Sequence, residues 1–267
     1  YGKSKKMIPA RDVFYPLEGE NLDFYAYYPY SSSALADGET SLHVSVAENQ
    51  TEDSDFSLSD FLVAKTSNVE NATESVLLDF KHKLSKLDIK IVFEDEESAA
   101  DAFASNPTIL ATDFYTEAEY DFSEDAISSP NVLKDLIPHG EWILEGTTLH
   151  GKELLIVPQT ITGQRFVLDM AGKIYTCSLD EEGLIEGIQY NWKINAETLV
   201  EGALNEIRAS ISEWGIGKEQ NTETNVNIST IKVESFSFAA SNIYHIYKGS
   251  TPIAEICKEY LYKEGVV

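Results

Sequence analysis

Apolar and polar residues alternate along most of the chain, which is the pattern of β-strands with one buried face. Residues 22–28 and 42–46 each place every second side chain on an apolar face. From Phe114 to Phe122 the apolar residues share one parity and the acidic residues share the other. This last segment is predicted to be a strand with a strongly acidic outer face.

Further short runs are rich in β-branched and aromatic residues and are separated by Gly, Asp and Asn, as strands and turns are. They cover residues 154–157, 166–168, 174–177 and 188–192. Strands that follow one another at this spacing indicate β-sandwiches and disfavour alternating β-α-β units. The sequence therefore predicts an all-β fold.

Two segments fit both a helical and a strand period. Residues 76–93 have one apolar helical face, but they also contain two alternating runs whose parity changes near Ser85-Lys86. We predict two strands with a bulge or turn between them, because Ile89 to Phe93 is rich in β-branched and aromatic residues. For residues 204–214 a strand is also favoured.

A single helix is predicted near the end of the chain. Thr251 suits its N-cap, Pro252 suits its first turn and Gly265 suits its end. Between them runs an apolar stripe at helical spacing, formed by Ile253, Ile256, Cys257, Tyr260 and Leu261. The predicted helix covers residues 252–263.

Composition shifts divide the chain into three segments. A region rich in Gly and Pro, from Pro138 to Gly151, separates an acidic first part from a second part dense in strands. A polar stretch from Gly215 to Thr224 precedes the last segment. We predict an N-terminal domain over 1–150, a C-terminal domain over 151–216, and an extension or incomplete third domain over 217–267.

The charge of the chain excludes one class of partner. The chain has 20 Lys and Arg against 45 Asp and Glu, a net charge of −25. Such a protein repels phosphate backbones and anionic lipid surfaces, so we expect no nucleic acid binding. Residues 94–125 alone hold eleven acidic residues and no Lys or Arg, which is typical of a solvated surface.

Candidate catalytic and metal-binding residues are sparse. Cys177 and Cys257 have no Cys or His at metal-ligand spacing, and the five histidines are scattered. Gly2-Lys3-Ser4 lacks the upstream glycine of a phosphate-binding loop. No apolar run reaches the length of a membrane-spanning helix. We expect neither an enzyme nor a bound cofactor or metal.

Two other site types remain open. Asp53-Ser54-Asp55 and Glu94 to Glu97 offer oxygen ligands for calcium, although neither has the pattern of the twelve-residue calcium loop. Paired carboxylates for glycoside chemistry are abundant, but abundance alone does not indicate a site. Trp142, Trp192 and Trp214 lie in strand-like segments, which favours core packing over a sugar-binding platform.

Several motifs, taken together in order and spacing, resemble the fimbrillin family of Gram-negative anaerobes. The motifs are Tyr15-Pro16-x-x-Gly19, Leu22 to Tyr30, Ser59 to Ala64, Leu78 to Leu87, Val157-Pro158-Gln159, Gly187 to Tyr190 and Ile211 to Trp214. The resemblance covers about residues 13–214. It implies two transthyretin-like β-sandwich domains. The chain departs from the family pattern beyond Trp214, in a short C-terminal extension that contains the predicted helix. His82, in Phe-x-His-x-Leu, is interpreted as a structural, hydrogen-bonded histidine.

The resemblance also implies a function. It indicates a lipoprotein exported to the outer-membrane surface, which polymerises into a fimbrium by strand exchange after an Arg-directed cleavage. Arg11 is the candidate cleavage site. The extension beyond Trp214 favours a tip, anchor or accessory subunit, whose partners are other fimbrial subunits and a host or bacterial receptor. The alternative is a surface protein that binds or processes carbohydrate.

Overall fold

The computed structural model describes residues 21–30, 40–70, 76–179, 181–214, 243–248 and 251–257. Nearly all of these residues lie in strands or in the turns that connect them. The strands are β1 Leu22–Tyr28, β2 Ser41–Ser45, β3 Leu62–Val69, β4 Lys81–His82, β5 Ser85–Val92, β6 Thr108–Asp121, β7 Ala126–Leu136, β8 Ile143–Glu145, β9 Thr148–Ile156, β10 Gln159–Thr160, β11 Arg165–Met170, β12 Lys173–Leu179, β13 Gly183–Leu184, β14 Ile188–Asn195, β15 Leu204–Glu213, β16 Ile243–Lys248 and β17 Thr251–Cys257. The predicted all-β, sandwich-like fold is confirmed.

The largest sheet has ten strands in the order β2-β6-β11-β12-β15-β14-β5-β9-β8, with β7 added on β6. The long strand β6 pairs with β7 along one edge, while β2 and β11 share its other edge. Most pairs are antiparallel, but β12 runs parallel to β15, and β5 runs parallel to β14. The sheet therefore combines strands from before and after residue 150.

The apolar and polar residues that alternate in the sequence lie on opposite sides of this sheet. On β6 the side chains of Phe114, Thr116, Ala118 and Tyr120 are buried, and the residues between them are only partly buried. One hydrophobic cluster extends from Tyr27 to Ile194 and includes inward residues of most strands of the large sheet. The division of the chain into domains at residues 150 and 216 stays a prediction.

A second sheet has the order β17-β16-β1-β3-β4. The predicted C-terminal helix is wrong, because Thr251–Cys257 forms strand β17, which pairs antiparallel with Ile243–Lys248 in β16. Helical spacing of apolar residues did not decide the structure here, since pairing with a neighbouring strand satisfies the backbone equally well. Residues 258–263 of that prediction lie outside the described residues.

Each of the two ambiguous segments contains a strand. Residues 204–213 form β15, and Ser85–Val92 forms β5, with the break at Lys83 and Leu84. The strand predicted over residues 76–80 is wrong, because regular pairing is confined to Lys81–His82.

Two short helices were not predicted. They are α1, Asp53–Ser59, and α2, Glu96–Ala104. Among the described residues no helix is long and apolar enough to cross a membrane.

Candidate functional site

Residues from four of the sequence motifs meet in one place, which we call the motif cluster: Asp60, His82, Lys83, Gly187 and Trp214. His82 Nδ1 lies 2.9 Å from Asp60 Oδ1, and the His82 ring stacks on Trp214 with 3.6 Å between ring centres. Both side chains of the His82–Asp60 pair are largely buried. The predicted hydrogen bond of His82 is confirmed, and its structural role stays a prediction.

Gly187 provides the backbone connections of the cluster. Its N–H donates to Leu84 O, and its carbonyl accepts from the Trp214 N–H, each at 2.9 Å. Gly187 has φ +70°, and a Cβ at this position would lie 3.1 Å from His82 O. Because both the backbone conformation and the close approach disfavour a side chain, glycine is the residue that fits.

Lys83 holds together three turns of the chain. Its side chain is 5% exposed, and its Nζ donates to Asp125 O at 2.9 Å and lies 2.8 Å from Asp125 Oδ1 and 3.1 Å from Glu186 Oε1. The ammonium also lies 5.5 Å from the centre of the Tyr120 ring. A buried lysine is tolerated only with such partners, since an unpaired buried charge is very costly.

Two neighbours of Lys83 have shifted pKa values. Burial alone would raise the pKa of Asp125, but hydrogen bonds from Lys83 and Tyr120 and the charge of Lys83 outweigh it and lower that pKa. Burial, followed by the hydrogen bond to Asp125, raises the pKa of Tyr120. Asp125 is therefore an ionised acceptor and Tyr120 a neutral donor at neutral pH, which is the arrangement of a structural ion pair.

The Val157-Pro158-Gln159 motif joins the start of β10 to the middle of β6. The buried Gln159 side chain accepts from the Tyr115 N–H at 2.9 Å and donates to Tyr115 O at 3.1 Å and to Val157 O at 2.8 Å. The amide thus bonds to one residue of β6 as a neighbouring strand would. This explains why a glutamine occupies a buried position.

Replacing Gln159 with leucine should lower the free energy of unfolding by about 2–3 kcal/mol, because the N–H and C=O of Tyr115 lose their partner. The measurement is urea unfolding of the two proteins. Thr160→Leu, at the next and exposed position of β10, is the control and should change stability by less than about 0.5 kcal/mol. Equal losses in the two variants would contradict the role assigned to the Gln159 amide.

The acidic loops considered for calcium have structural roles in part. Asp95 caps α2, accepting from the Ser98 N–H at 2.7 Å, and this hydrogen bond lowers the pKa of Asp95. Asp53 lies 3.5 Å from His139 Nε2. Among the described residues no group of three or more His, Cys, Asp or Glu side chains is placed to hold a metal ion.

The tryptophans and the cysteine lie in or against the core. Trp142 and Trp192 are buried, and Trp214 packs on His82, so these three side chains form no exposed platform for a sugar. Cys177 is fully buried, and burial raises the pKa of its thiol to about 11, which makes it a poor nucleophile. Arg11 and Cys257 cannot be placed in a site, because Arg11 lies outside the described residues and Cys257 is described only as part of β17.

The second candidate site is the edge of β1 that pairs with β16. On one side β1 pairs with β3, and on the other it pairs antiparallel with β16 through Asp23, Phe24 and Tyr25. β16 and β17 form a hairpin that follows β15 only after residues 214–242. A distant C-terminal strand thus completes the sheet beside an N-terminal one.

The residues of the motif cluster lie in the part of the chain that is similar to known proteins. A family model described as fimbrillin-like matches residues 1–214, which include every residue of the cluster but not the β16–β17 hairpin. A Bacteroides uniformis protein named "Putative fimbrium subunit Fim1C" is 27% identical over 227 residues, which cover 80% of this chain and 70% of that protein.

Solved structures show the same fold. A "putative cell adhesion protein" of Bacteroides uniformis is 22% identical with a TM-score of 0.55, and 76% of each chain is covered. Another of that description, from Bacteroides ovatus, is 21% identical with a TM-score of 0.55, covering 76% of this chain and 71% of its own. Since the family model matches most of the sequence, the chain belongs to the fimbrillin-like family.

Proposed function

We propose that this protein is a non-enzymatic structural or adhesive subunit of a bacterial fimbrium at the cell surface. Membership in the fimbrillin-like family and the name of the Bacteroides uniformis relative support this proposal. The described side chains also support it, because Asp60, His82 and Lys83 form hydrogen bonds and ion pairs that connect separate elements of the fold, which suits a structural role. The partners are other fimbrial subunits and a surface receptor, and a lipid anchor outside this chain would attach a membrane-proximal subunit.

The observation that carries the proposal is the pairing of β1 with β16. An exposed sheet edge accepts any chain that offers matching backbone donors and acceptors, including a strand from another subunit. When the same hairpin pairs with β1 of the next subunit, the contacts are unchanged and the chains become linked, as in domain swapping. Residues 214–242, if extended, span on the order of 90 Å, enough to reach a neighbour.

The proposed maturation step is cleavage after Arg11. It would release residues 1–11, and in the proposed mechanism this loss lets the β16–β17 hairpin of another subunit pair with β1. Pro9 and the polar residues nearby favour an extended, accessible backbone that a protease can enter. We include in the same proposal that the subunit is located at the outer-membrane surface.

We expect an Arg-specific protease to cut the native protein after Arg11 before Arg165 or Arg208, and the trimmed protein to form ladders on a denaturing gel run without heating. Ladders are expected because strand-complemented contacts dissociate slowly. A chain lacking residues 243–257 is the control, and after the same cut it should run as a monomer on that gel. Clean cutting after which the complete chain also runs only as a monomer on the gel, even from a concentrated sample, would reject strand complementation by this hairpin.

A further inference from the structure

A row of cationic residues crosses the outward side of the large sheet, which is unexpected in a chain with a net charge of −25. Lys90 on β5 and Lys193 on β14 are register partners, and these two lysines form the row. Like charges directly opposite each other on neighbouring strands destabilise a sheet. The Lys90 ammonium lies 3.3 Å from the Asp88 carboxylate, and Lys193 is exposed beside it.

Beside this row lies an apolar strip on the same outward side of the sheet. Leu110, Val167, Thr176 and Leu204 are successive register partners across β6, β11, β12 and β15. Leu204 is 55% exposed, and the neighbouring Ile174 is 47% exposed. We call the row and the strip together the basic face. An apolar centre with charged residues at its margin is the usual composition of a protein interface.

Acidic residues are concentrated on the outward side of β6, which together with the adjoining outward sides of β2 and β7 we call the acidic face. Glu117 and Glu119 lie there beside His43, at 3.7 Å and 3.5 Å. The acidic face also has an apolar part, because Tyr115 is partly buried and its register partner Leu133 on β7 is 49% exposed. The two faces thus carry opposite charges, and each includes exposed apolar surface.

We propose that the basic face of one copy of this protein docks onto the acidic face of a second copy. The contact buries apolar side chains and pairs Lys90 and Lys193 with Glu117 and Glu119, which offsets the repulsion within the cationic row. It uses side chains on the outward side of the large sheet, so it is separate from strand pairing at the β1 edge. In a fimbrium it would hold neighbouring subunits or fibres side by side.

The charge pattern favours a second copy over another anionic partner. The chain itself carries a surface of the required sign with exposed apolar residues, whereas an anionic polymer would use the cationic row alone. An excess of 25 negative charges would also repel such a polymer from the rest of the molecule. Binding of a polymer and binding of a second copy can be distinguished by experiment.

The test is sedimentation velocity of the complete, uncleaved chain and of two charge-reversed variants. The wild type should associate at low salt and dissociate in about 1 M salt, where charges are screened beyond about 3 Å. Two double variants place like charges opposite each other: Lys90→Glu with Lys193→Glu, and Glu117→Lys with Glu119→Lys. Each should raise the dissociation constant at least tenfold. An equimolar mixture of the two variants should associate again, since opposite charges then face each other.

Glu94→Lys with Glu97→Lys is the matched control, because it changes the net charge by the same amount as the acidic-face variant but at exposed positions outside both faces. It should associate like the wild type. A monomeric wild type, or a mixture of the two variants that stays monomeric, would overturn the proposal. A monomeric wild type that binds dextran sulfate through Lys90 and Lys193 would also overturn it in favour of an anionic polymer. Ladders that resist unheated detergent report on strand complementation and are independent of these results.

Discussion

Replacing Lys83 with methionine should lower the free energy of unfolding by roughly 2–3 kcal/mol and the melting temperature by roughly 5–10 °C. Methionine keeps the linear side chain but leaves Asp125 and Glu186 facing each other without a cation. The loss is smaller than for a fully buried pair, because the Asp125 side chain is 45% exposed and that of Glu186 is 35% exposed. Thermal and urea unfolding measure this change.

Lys81→Met is the matched control, because Lys81 is an exposed lysine two residues away on β4. It should stay within about 0.5 kcal/mol of the wild type. If Lys83→Met unfolds like Lys81→Met, the buried ion pair contributes nothing to stability.

The ion pair between Lys83 and Asp125 also makes the stability of the protein depend on pH. The pKa of Asp125 is lowered in the folded protein, so the stability that this carboxylate contributes is fully present above its unfolded pKa of about 4. That contribution is lost as the pH falls through the lower folded pKa. Wild type should therefore lose more stability than Lys83→Met between about pH 5 and pH 2, and parallel curves would show that Lys83 does not cause the shift.

Replacing Gly140 with alanine should lower the free energy of unfolding by about 3 kcal/mol or more. Gly140 has φ +85°, and an added Cβ would lie 2.1 Å from the carbonyl oxygen of Gly151. That oxygen belongs to a backbone held by the isolated bridge between His139 and Glu153, so it cannot move aside as a flexible side chain would. Denaturant unfolding of the purified variant gives the loss.

Gly146→Ala separates the two causes of this loss. Gly146 also has a positive φ, +55°, but a Cβ there meets nothing within 4 Å. It should cost only about 1–2 kcal/mol, the penalty of the left-handed conformation. If the two variants lost equal stability, the close approach of Gly140 to Gly151 would carry no cost.

Strands with strict alternation could be predicted from the sequence, because burial on one side of a sheet repeats every two residues. Phe114 to Phe122 and residues 42–46 are examples. The C-terminal helix was wrong because apolar residues at helical spacing do not reveal whether a partner strand is available. Helix α2 did have a signal, since Asp95 caps it and Ala99 and Ala102 form its buried side, but its acidic residues suggested only a solvated loop.

The candidate site was predictable only in part. The parity of His82 with its apolar neighbours indicated a buried, structural histidine, but nothing near it in sequence indicates that Trp214 stacks on it. Likewise Lys83 could pair with any of 45 acidic residues, and only the folded chain selects Asp125 and Glu186. Contacts between residues far apart in sequence depend on strand order, which periodicity does not determine.

The position of β5 in the large sheet determines the order in which the molecule can fold. β5 lies between β9 and β14, and β14 is about a hundred residues later in the chain. As the chain is synthesised or exported, both edges of this strand, which has one buried apolar face, stay open until those later residues arrive. Parallel pairing over such a distance is slow, and open edges invite association with other chains. Until β14 has emerged, the nascent chain therefore depends on being kept apart from its copies, which the mature subunit is proposed to bind.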